Sequence, residues 1–472
     1  MTERSEGNKA LFEHRTLSTG QAIAYGLPMA GLQAILGILV SFTLLFYIEI
    51  MGQPPIIVGG IFSAGLVIYA IMCIIGGAIA DKIGKKKVML VSGPIMAITF
   101  IFIWIPPIPD TNFGQSYIPL IIWFIIFLFL FRIMIAAFQS SLISLFPELS
   151  TDEKNRVKVS MINMLMTILG IVIGIVGPFI LMSNATQNLS REDPNLYYKD
   201  SSYGQAIYSE IIFFVMLIGI FFLVLMTLMM LIIKEPEKKT ITEKTGFKEI
   251  LRELFEPLKD RDYRKWLITF FIFWVPFIAF EFLAVNLATF VLDLRGIEFL
   301  IAILIGFIST IFSFVIWQKI SQKFSLKKTF TICLILSSIS FSLIFILTIP
   351  MTHQLMFIFG LTIICLCFCC LVGTMTFPSA ITGDLIDSAE SKANGKSLSG
   401  TYSGAYIMIG SFAAALSILI ISIILQLFGP ESPISYALTL SVVGTCLILI
   451  AVIIFQKVPI VGTEQREKQK RL

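Results

Sequence analysis

Phe127-Leu-Phe-Leu-Phe-Arg132-Ile-Met-Ile-Ala-Ala-Phe-Gln139 lies inside an apolar run, Tyr117 to Leu145, in which Arg132 is the only charged residue. Roughly 20 apolar residues in a helix span the hydrocarbon core of a bilayer, so this run reads as a membrane helix. A guanidinium at its centre costs several kcal/mol unless it is paired or faces water. Arg132 is therefore a functional candidate, and the chain is expected to move something across a membrane.

The same pattern recurs on both sides of that run. The chain is 57% hydrophobic and 14% charged, contains 42 Phe, and has a mean hydropathy of +0.90. Hydropathy and breakers mark twelve spans: Ala22 to Ile48, Ile57 to Ala80, Val88 to Ile105, Tyr117 to Leu145, Ser160 to Met182, Tyr208 to Ile233, Trp266 to Phe290, Phe299 to Trp317, Thr329 to Ile349, Gln354 to Ser379, Thr401 to Phe428 and Ser435 to Phe455. The polar opening, Met1 to Gly20, lacks the order of a cleavable signal, so the first span is expected to stay in the membrane. With both termini cytoplasmic, the outer loops hold only Arg191, Lys199 and Arg295, and every other Lys and Arg except Arg132 falls on the cytoplasmic side. The net charge of +5 thus follows topology and is not a nucleic-acid footprint.

The predicted organisation is a cytoplasmic tail (1–21), a six-helix half (22–233), a polar linker (234–265), a second six-helix half (266–456) and a basic tail (457–472). Asp81-Lys-Ile-Gly-Lys-Lys-Lys87 follows the second span, and Gln322-Lys-Phe-Ser-Leu-Lys-Lys328 follows the eighth, an internal echo that indicates duplication. In the linker, Phe247, Ile250, Leu251, Leu254, Phe255 and Leu258 recur at helical spacing, predicting an amphipathic helix on the inner surface.

Little supports a catalyst. The only two histidines are His14 in the N-terminal tail and His353 in an outer turn, which cannot assemble a buried base or a His-based metal centre. Cys365, Cys367, Cys369 and Cys370 sit on an apolar helix without flanking ligands and read as small hydrophobes. No catalytic residue, metal or cofactor is expected. Asn184-Ala-Thr186 and Asn188-Leu-Ser190 are glycosylation sequons of low information, in the loop before span six.

Gly77-Ala-Ile-Ala-Asp81-Lys-Ile-Gly84-Lys85-Lys-Lys87 resembles the loop motif of the major facilitator superfamily, and lies between spans two and three as that superfamily requires. The resemblance implies a small residue where helices approach closely and an acid that latches one conformation; the alternative is a basic turn that only satisfies the positive-inside rule. Pro147-Glu-Leu-Ser-Thr-Asp-Glu-Lys-Asn-Arg156 and Pro378-Ser-Ala-Ile-Thr-Gly-Asp384-Leu-Ile-Asp387, with Gly395, Lys396, Gly400, Tyr402, Gly404 and Tyr25-Gly26, are similar to the glycoside-pentoside-hexuronide:cation symporters and their lipid-carrying relatives. The implied fold is an all-α membrane protein of two pseudo-symmetric six-helix halves. Gly77, Asp81, Gly84, Lys85, Asp384 and Asp387 are its implied conformational gate.

In the melibiose-type carriers of that family, acids in spans one, two and four and an Arg in span five bind sugar and cation, and a Lys in span eleven assists. Aligned without gaps, the acid positions fall on Gln33, Tyr69, Cys73 and Gln139, the Arg on or beside Asn163 or Met164, and the Lys on Ser411. All are neutral. A sodium ion needs hard oxygen ligands, normally with carboxylate charge, so a melibiose-type sodium site is not expected. Gln33 and Gln139 still offer donors and acceptors to a polar solute.

The charges left inside the spans are Arg132 and Glu281, with Asn286 further along span seven. Spans one, four, seven and ten line the cavity of such a fold, so Arg132 and Glu281 are expected to face it together; the alternative is that each satisfies a neighbouring helix or snorkels outward. The expected function is a secondary active transporter or facilitator that moves a small organic solute, sugar-like or amphipathic, by alternating access. It is expected to act as a monomer in the plasma membrane, with the bilayer and the solute as partners, a proton as the open coupling candidate and no nucleic acid. A lipid or lysolipid carrier and a non-transporting sensor or accessory protein are the alternatives.

Overall fold

The computed structural model describes residues 16–108, 114–150, 153–185, 202–234, 257–392 and 399–460. Twelve helices among them are long and apolar enough to cross a membrane, and no strand occurs among the described residues. An open backbone N–H or C=O in hydrocarbon costs several kcal/mol, so runs of this length close their hydrogen bonds internally as helices. In chain order they are α1 (Thr19–Leu44, continued by a π turn, Leu45–Ile50), α2 (Pro55–Ile83), α3 (Lys85–Ile103), α4 (Ile118–Leu149), α5 (Glu153–Ala185) and α6 (Ser202–Ile232). The second set is α7 (Arg261–Asn286, continued by a π turn, Leu287–Val291), α8 (Ile297–Lys323), α9 (Leu326–Leu343, continued by a 3-10 turn, Ile344–Thr348), α10 (His353–Lys392), α11 (Ser399–Phe428) and α12 (Pro433–Phe455).

Several ends depart from the sequence reading, α5 starting at Glu153 and α8 ending at Lys323 among them, and two bear on polar groups. The first span was expected to stop at Ile48, which put Glu49 in a loop; the π turn carries the helix to Ile50, and Glu49 is only 1% exposed. The tenth span was expected to stop at Ser379, where hydropathy falls, yet α10 continues to Lys392. Ile381, Leu385, Ile386 and Ala389 are all buried along that extension, so helical periodicity outlasts apolarity there. The amphipathic segment expected at 247–258 falls on residues 235–256, which lie outside the described residues, except at its end.

The helices group into two units. The first comprises Met1–Gln53, Val67–Leu181 and Glu192–Ile241; the second comprises Pro54–Leu66, Met182–Arg191 and Thr242–Leu472. Helices in lipid gain no hydrophobic drive from one another, so close packing depends on small residues that let backbones approach. In the first unit, Gly170-Ile-Val-Ile-Gly174 of α5 meets α1. A Cβ placed on Gly37 would come within 2.8 Å of the Gly174 Cα, and one on Gly170 would collide with the Ala30 carbonyl. In the second unit, the first part of α2 packs with α11, where Ser63 Oγ donates to the Ala415 carbonyl at 2.7 Å. The Phe62 ring also meets the Phe282 ring of α7 edge-on at 5.2 Å. A cluster of Trp266, Phe270, Phe273, Phe330 and Phe455 packs together in that unit's core.

Within each unit the same contacts recur about 240 residues apart, the mark of a duplicated six-helix repeat. Tyr25 Oη donates to the Leu142 carbonyl at 2.9 Å, and Trp266 Nε1 donates to Thr382 Oγ1 at 2.9 Å. Lys86 Nζ donates to the Ile233 carbonyl at the end of α6, and Lys327 Nζ to the Gln456 and Val458 carbonyls at the end of α12. The π turns of α1 and α7 are followed by Gly52 (φ 63) and Asp293 (φ 49), respectively.

Candidate substrate site

The first unit brings the polar groups of two helices, α2 and α4, together near mid-span. Gly76 sets the approach of α2 to α4: a Cβ there would lie 2.8 Å from the Ala137 Cα. This closeness lets Tyr69 Oη of α2 donate to Gln139 Oε1 of α4 at 2.6 Å. Arg132, two turns before Gln139 on the same helix, is 4% exposed. Its guanidinium carbon lies 5.9 Å from the Phe131 ring centroid, and Tyr69 is its electrostatic neighbour. Cys73, one turn beyond Tyr69, shares that neighbourhood. Tyr69, Cys73, Gln139 and Arg132 thus form one cluster.

Gln33 and Asn163 belong to the α1–α5 contact instead. A Cβ on Gly170 would lie 2.8 Å from the Gln33 Cβ, and one on Gly26 would lie 3.5 Å from the Asn163 Cα. Asn163 Oδ1 is buried without a hydrogen-bond partner among the described residues. Gln33 is half-buried and accepts or donates no hydrogen bond among them.

Glu281 and Asn286 lie on α7 in the second unit. Glu281 is half-buried, with no hydrogen bond or ion pair among the described residues. Its neighbours in sequence are anchored: Phe280 packs on Phe341 and Phe368, and Phe282 on Phe62. Asn286 is 1% exposed, and its Oδ1 has no partner among the described residues. Thr289, which the sequence reading passed over, is 3% exposed with its hydroxyl oxygen also unpartnered. Thr167, Thr227 and Thr310 each donate to the carbonyl four residues back, as helical Thr normally does. Thr289 sits in the π turn, where that geometry is lost. Arg132 and Glu281 belong to different units, and each is placed within its own.

The motif after α2 is built on Gly84, whose φ of 112 and ψ of 133 separate α2 from α3. An L side chain rarely adopts that backbone. Lys85, 4% exposed, donates to the Ser144 carbonyl of α4 at 2.6 Å, and Lys86 to the Ile233 carbonyl at 2.8 Å. Lys86 thereby meets a carbonyl just beyond the last turn of α6, the end that favours positive charge, and Lys85 one five residues before the end of α4. A Cβ on Gly77 would find the Ser140 Cβ at 4.0 Å, whereas Gly76 is in close contact with α4. The Asp81 side chain lies outside the described residues. Asp384 is half-buried and Asp387 exposed on the extension of α10.

Asn155, from the motif after span four, clasps the start of α1: Leu17 N–H donates to Asn155 Oδ1 and Asn155 Nδ2 to the Leu17 carbonyl, both at 2.9 Å. In the second repeat, Tyr263 Oη near the start of α7 donates to the Tyr402 carbonyl of α11 at 2.7 Å. Among the cysteines, Cys367 and Cys370 are buried, and Cys370 packs against Ser340 and Cys333. No group of His, Cys, Asp and Glu that could hold a metal occurs among the described residues. Asn184 is exposed, and residues 186–201, with the rest of both sequons, lie outside the described residues.

Twelve apolar helices in two repeats, with buried polar groups at mid-span, define a membrane transporter of the major facilitator type. The chain belongs to the MFS/sugar transport protein family, whose sequence model matches residues 24–460. A variant of the nucleoside transporter NupG superposes with a TM-score of 0.66 at 12% identity, covering 93% of this chain and 98% of that one. A bacterial homologue of the human lysosomal transporter Spinster gives 0.60 at 13% identity over 93% and 95%. The xylose transporter XylE from E. coli gives 0.59 at 14% over 96% and 98%. At these identities the likeness is one of fold. No curated protein matches the chain.

Proposed function

We propose that this transporter moves a small organic solute across the plasma membrane by alternating access, as a monomer, with no chemical step and no melibiose-type sodium site. The observation that carries the reading is the hydrogen bond from Tyr69 to Gln139 beside Arg132, in the middle of spans where polar groups are expensive. Bilayer proteins keep such groups where a solute or ion uses them. Gln33, Asn163 and Asn286 are proposed to complete the polar contacts, and Glu281 to carry a coupling proton. Gly84, Lys85, Asp81, Asp384 and Asp387 are proposed to govern the conformational exchange, with both chain ends on the cytoplasmic side.

The test is an uptake screen in sealed proteoliposomes, run with a sodium gradient, with a proton gradient and with neither. Accumulation of one solute class above protein-free vesicles is expected. Correctly folded protein that moves no solute under any gradient would return the chain to the sensor or accessory class.

A further inference from the structure

We propose, resting on the transporter reading above, that the solute carries a flat heteroaromatic ring, stacked on a shelf that Phe270 and Trp274 of α7 and Tyr406 of α11 form within the second unit.

The three rings lie nearly parallel. Tyr406 stacks on Phe270 with centroids 4.2 Å apart and planes at 28°, and Trp274 lies 5.2 Å from Phe270 at 30°. Rings that fill the core of the same unit cross steeply instead: Phe273 meets Phe330 at 70°, and Phe330 meets Phe455 at 80°. Phe270 is the covered floor of the shelf, at 2% exposed, whereas Trp274 and Tyr406 are half-buried and each present surface. Gly410 of α11 keeps the edge clear. A Cβ there would lie 3.3 Å from Phe270 Cε1 and 3.9 Å from Trp274 Nε1.

The shelf also has a polar edge. Trp123, Trp266 and Trp317 each donate their indole N–H to an oxygen, as do the Tyr25 and Tyr263 hydroxyls. Trp274 Nε1 and Tyr406 Oη make no hydrogen bond among the described residues. A tryptophan that serves the bilayer sits at its interface, where headgroups and water take the N–H. Trp274 lies deeper: the charged start of α7 ends at Lys265, and nine residues of helix carry the chain about 13 Å further. Hydrocarbon tails at that depth offer these two groups no partner.

This combination selects among solutes. A flat ring adds to the stack through its face, and ring nitrogens or carbonyls on its rim accept from the indole and the phenol. A sugar can lie on an indole as well, but each hydroxyl it buries needs a partner, and each one left unmatched lowers affinity. Ser411, next to Gly410, is already committed to the Ile407 carbonyl. A choline-like cation takes a ring face but gives the indole N–H nothing to bond.

The test uses the purified full chain, reading ligand-induced thermal shifts in detergent and uptake in proteoliposomes. The probes are uracil, adenine and nicotinamide as flat rings, with cyclohexanecarboxamide, glucose and choline against them. At least one flat ring should stabilise the protein and enter vesicles above protein-free controls, while the other three solutes do neither. Trp274→Leu should lower affinity for that ring about tenfold, the usual scale of one lost stacking partner, and Trp274→Phe, which keeps a ring face, by less. Should Trp274→Leu fail to fold, Tyr406→Leu serves instead and should weaken the same ring. Uptake of cyclohexanecarboxamide, glucose or choline with every flat ring silent overturns the proposal and leaves the transporter reading standing. Flat-ring affinity unchanged in folded Trp274→Leu and Tyr406→Leu overturns it too. Folded protein that moves no solute, here or in the broader screen, overturns both readings.

Discussion

Tyr69 reaches Gln139 only because Gly76 has no side chain at the crossing of α2 and α4. The hydroxyl is the donor that satisfies a partly buried amide oxygen, so Tyr69→Phe should cost about 1–3 kcal/mol, the usual penalty for orphaning such a group. It should also free the Gln139 amide to turn. Thermal melts of the detergent-solubilised protein check the first effect, and a rise in KM larger than any fall in kcat checks the second. Tyr69 and Gln139 came through the family resemblance, whereas Arg132 was legible in the sequence because a charge in an apolar run stands out against its neighbours. Glu49 was not, since it adjoins the Gly52-Gln-Pro-Pro55 turn and reads as loop until the π turn draws it into the helix. Thr289 was invisible for the reverse reason: helical Thr normally satisfies itself, and sequence does not announce the turn that prevents it.

At the scale of the element, the π turns of α1 and α7 repeat one backbone with different side chains. Leu45 and Ile48 stand where the second repeat has Asn286 and Thr289, so the turn itself does not need polar residues. Π segments inside helices are frequent at functional sites. Asn286→Leu and Thr289→Val each remove an unpartnered buried oxygen, and each is expected to raise thermal stability by about 1 kcal/mol. Transport should fall in the same variants if those oxygens meet the solute, and a variant both more stable and fully active would remove them from the site. A second device is the lysine that caps the last helix of each repeat. Lys327→Met should unsatisfy the carbonyls of Gln456 and Val458 and weaken the end of α12 by about 0.3–1 kcal/mol. Faster amide hydrogen exchange confined to residues near Phe455 is the expected readout.

Across the whole molecule, the repeated features are scaffold, and the two charges at mid-span are not repeated. Tyr25 and Trp266, Lys86 and Lys327, and the two π turns match, whereas Val372 takes the place of Arg132 in the second repeat and Val40 that of Glu281 in the first. The chain's twelve spans and their duplication were readable from hydropathy and the Asp81/Gln322 echo, because span length and loop charge are set by the bilayer itself. What hydropathy could not give was the grouping of Pro54–Leu66 with the second unit, which depends on side-chain fit at Ser63 and Phe62. With Gln33, Tyr69, Cys73 and Gln139 all neutral, uptake should be the same in sodium and potassium buffers. Stimulation by a proton gradient is expected instead, and Glu281→Gln should abolish that stimulation while leaving solute exchange at equilibrium. A several-fold sodium dependence would contradict this.

Helix α10, at 40 residues, is about 60 Å long, roughly twice the thickness of the hydrocarbon it crosses. One end is tied down where His353 Nε2 meets Glu298 Oε1 at 2.8 Å; the far end packs Ile381, Leu385, Ile386 and Ala389 into the protein and leaves Asp387 exposed. Asp387 is thus a built-in topological marker. A membrane-impermeant thiol reagent applied to one side of a sealed vesicle would reach a cysteine placed there from that side alone, and so report which way each reconstituted molecule is facing.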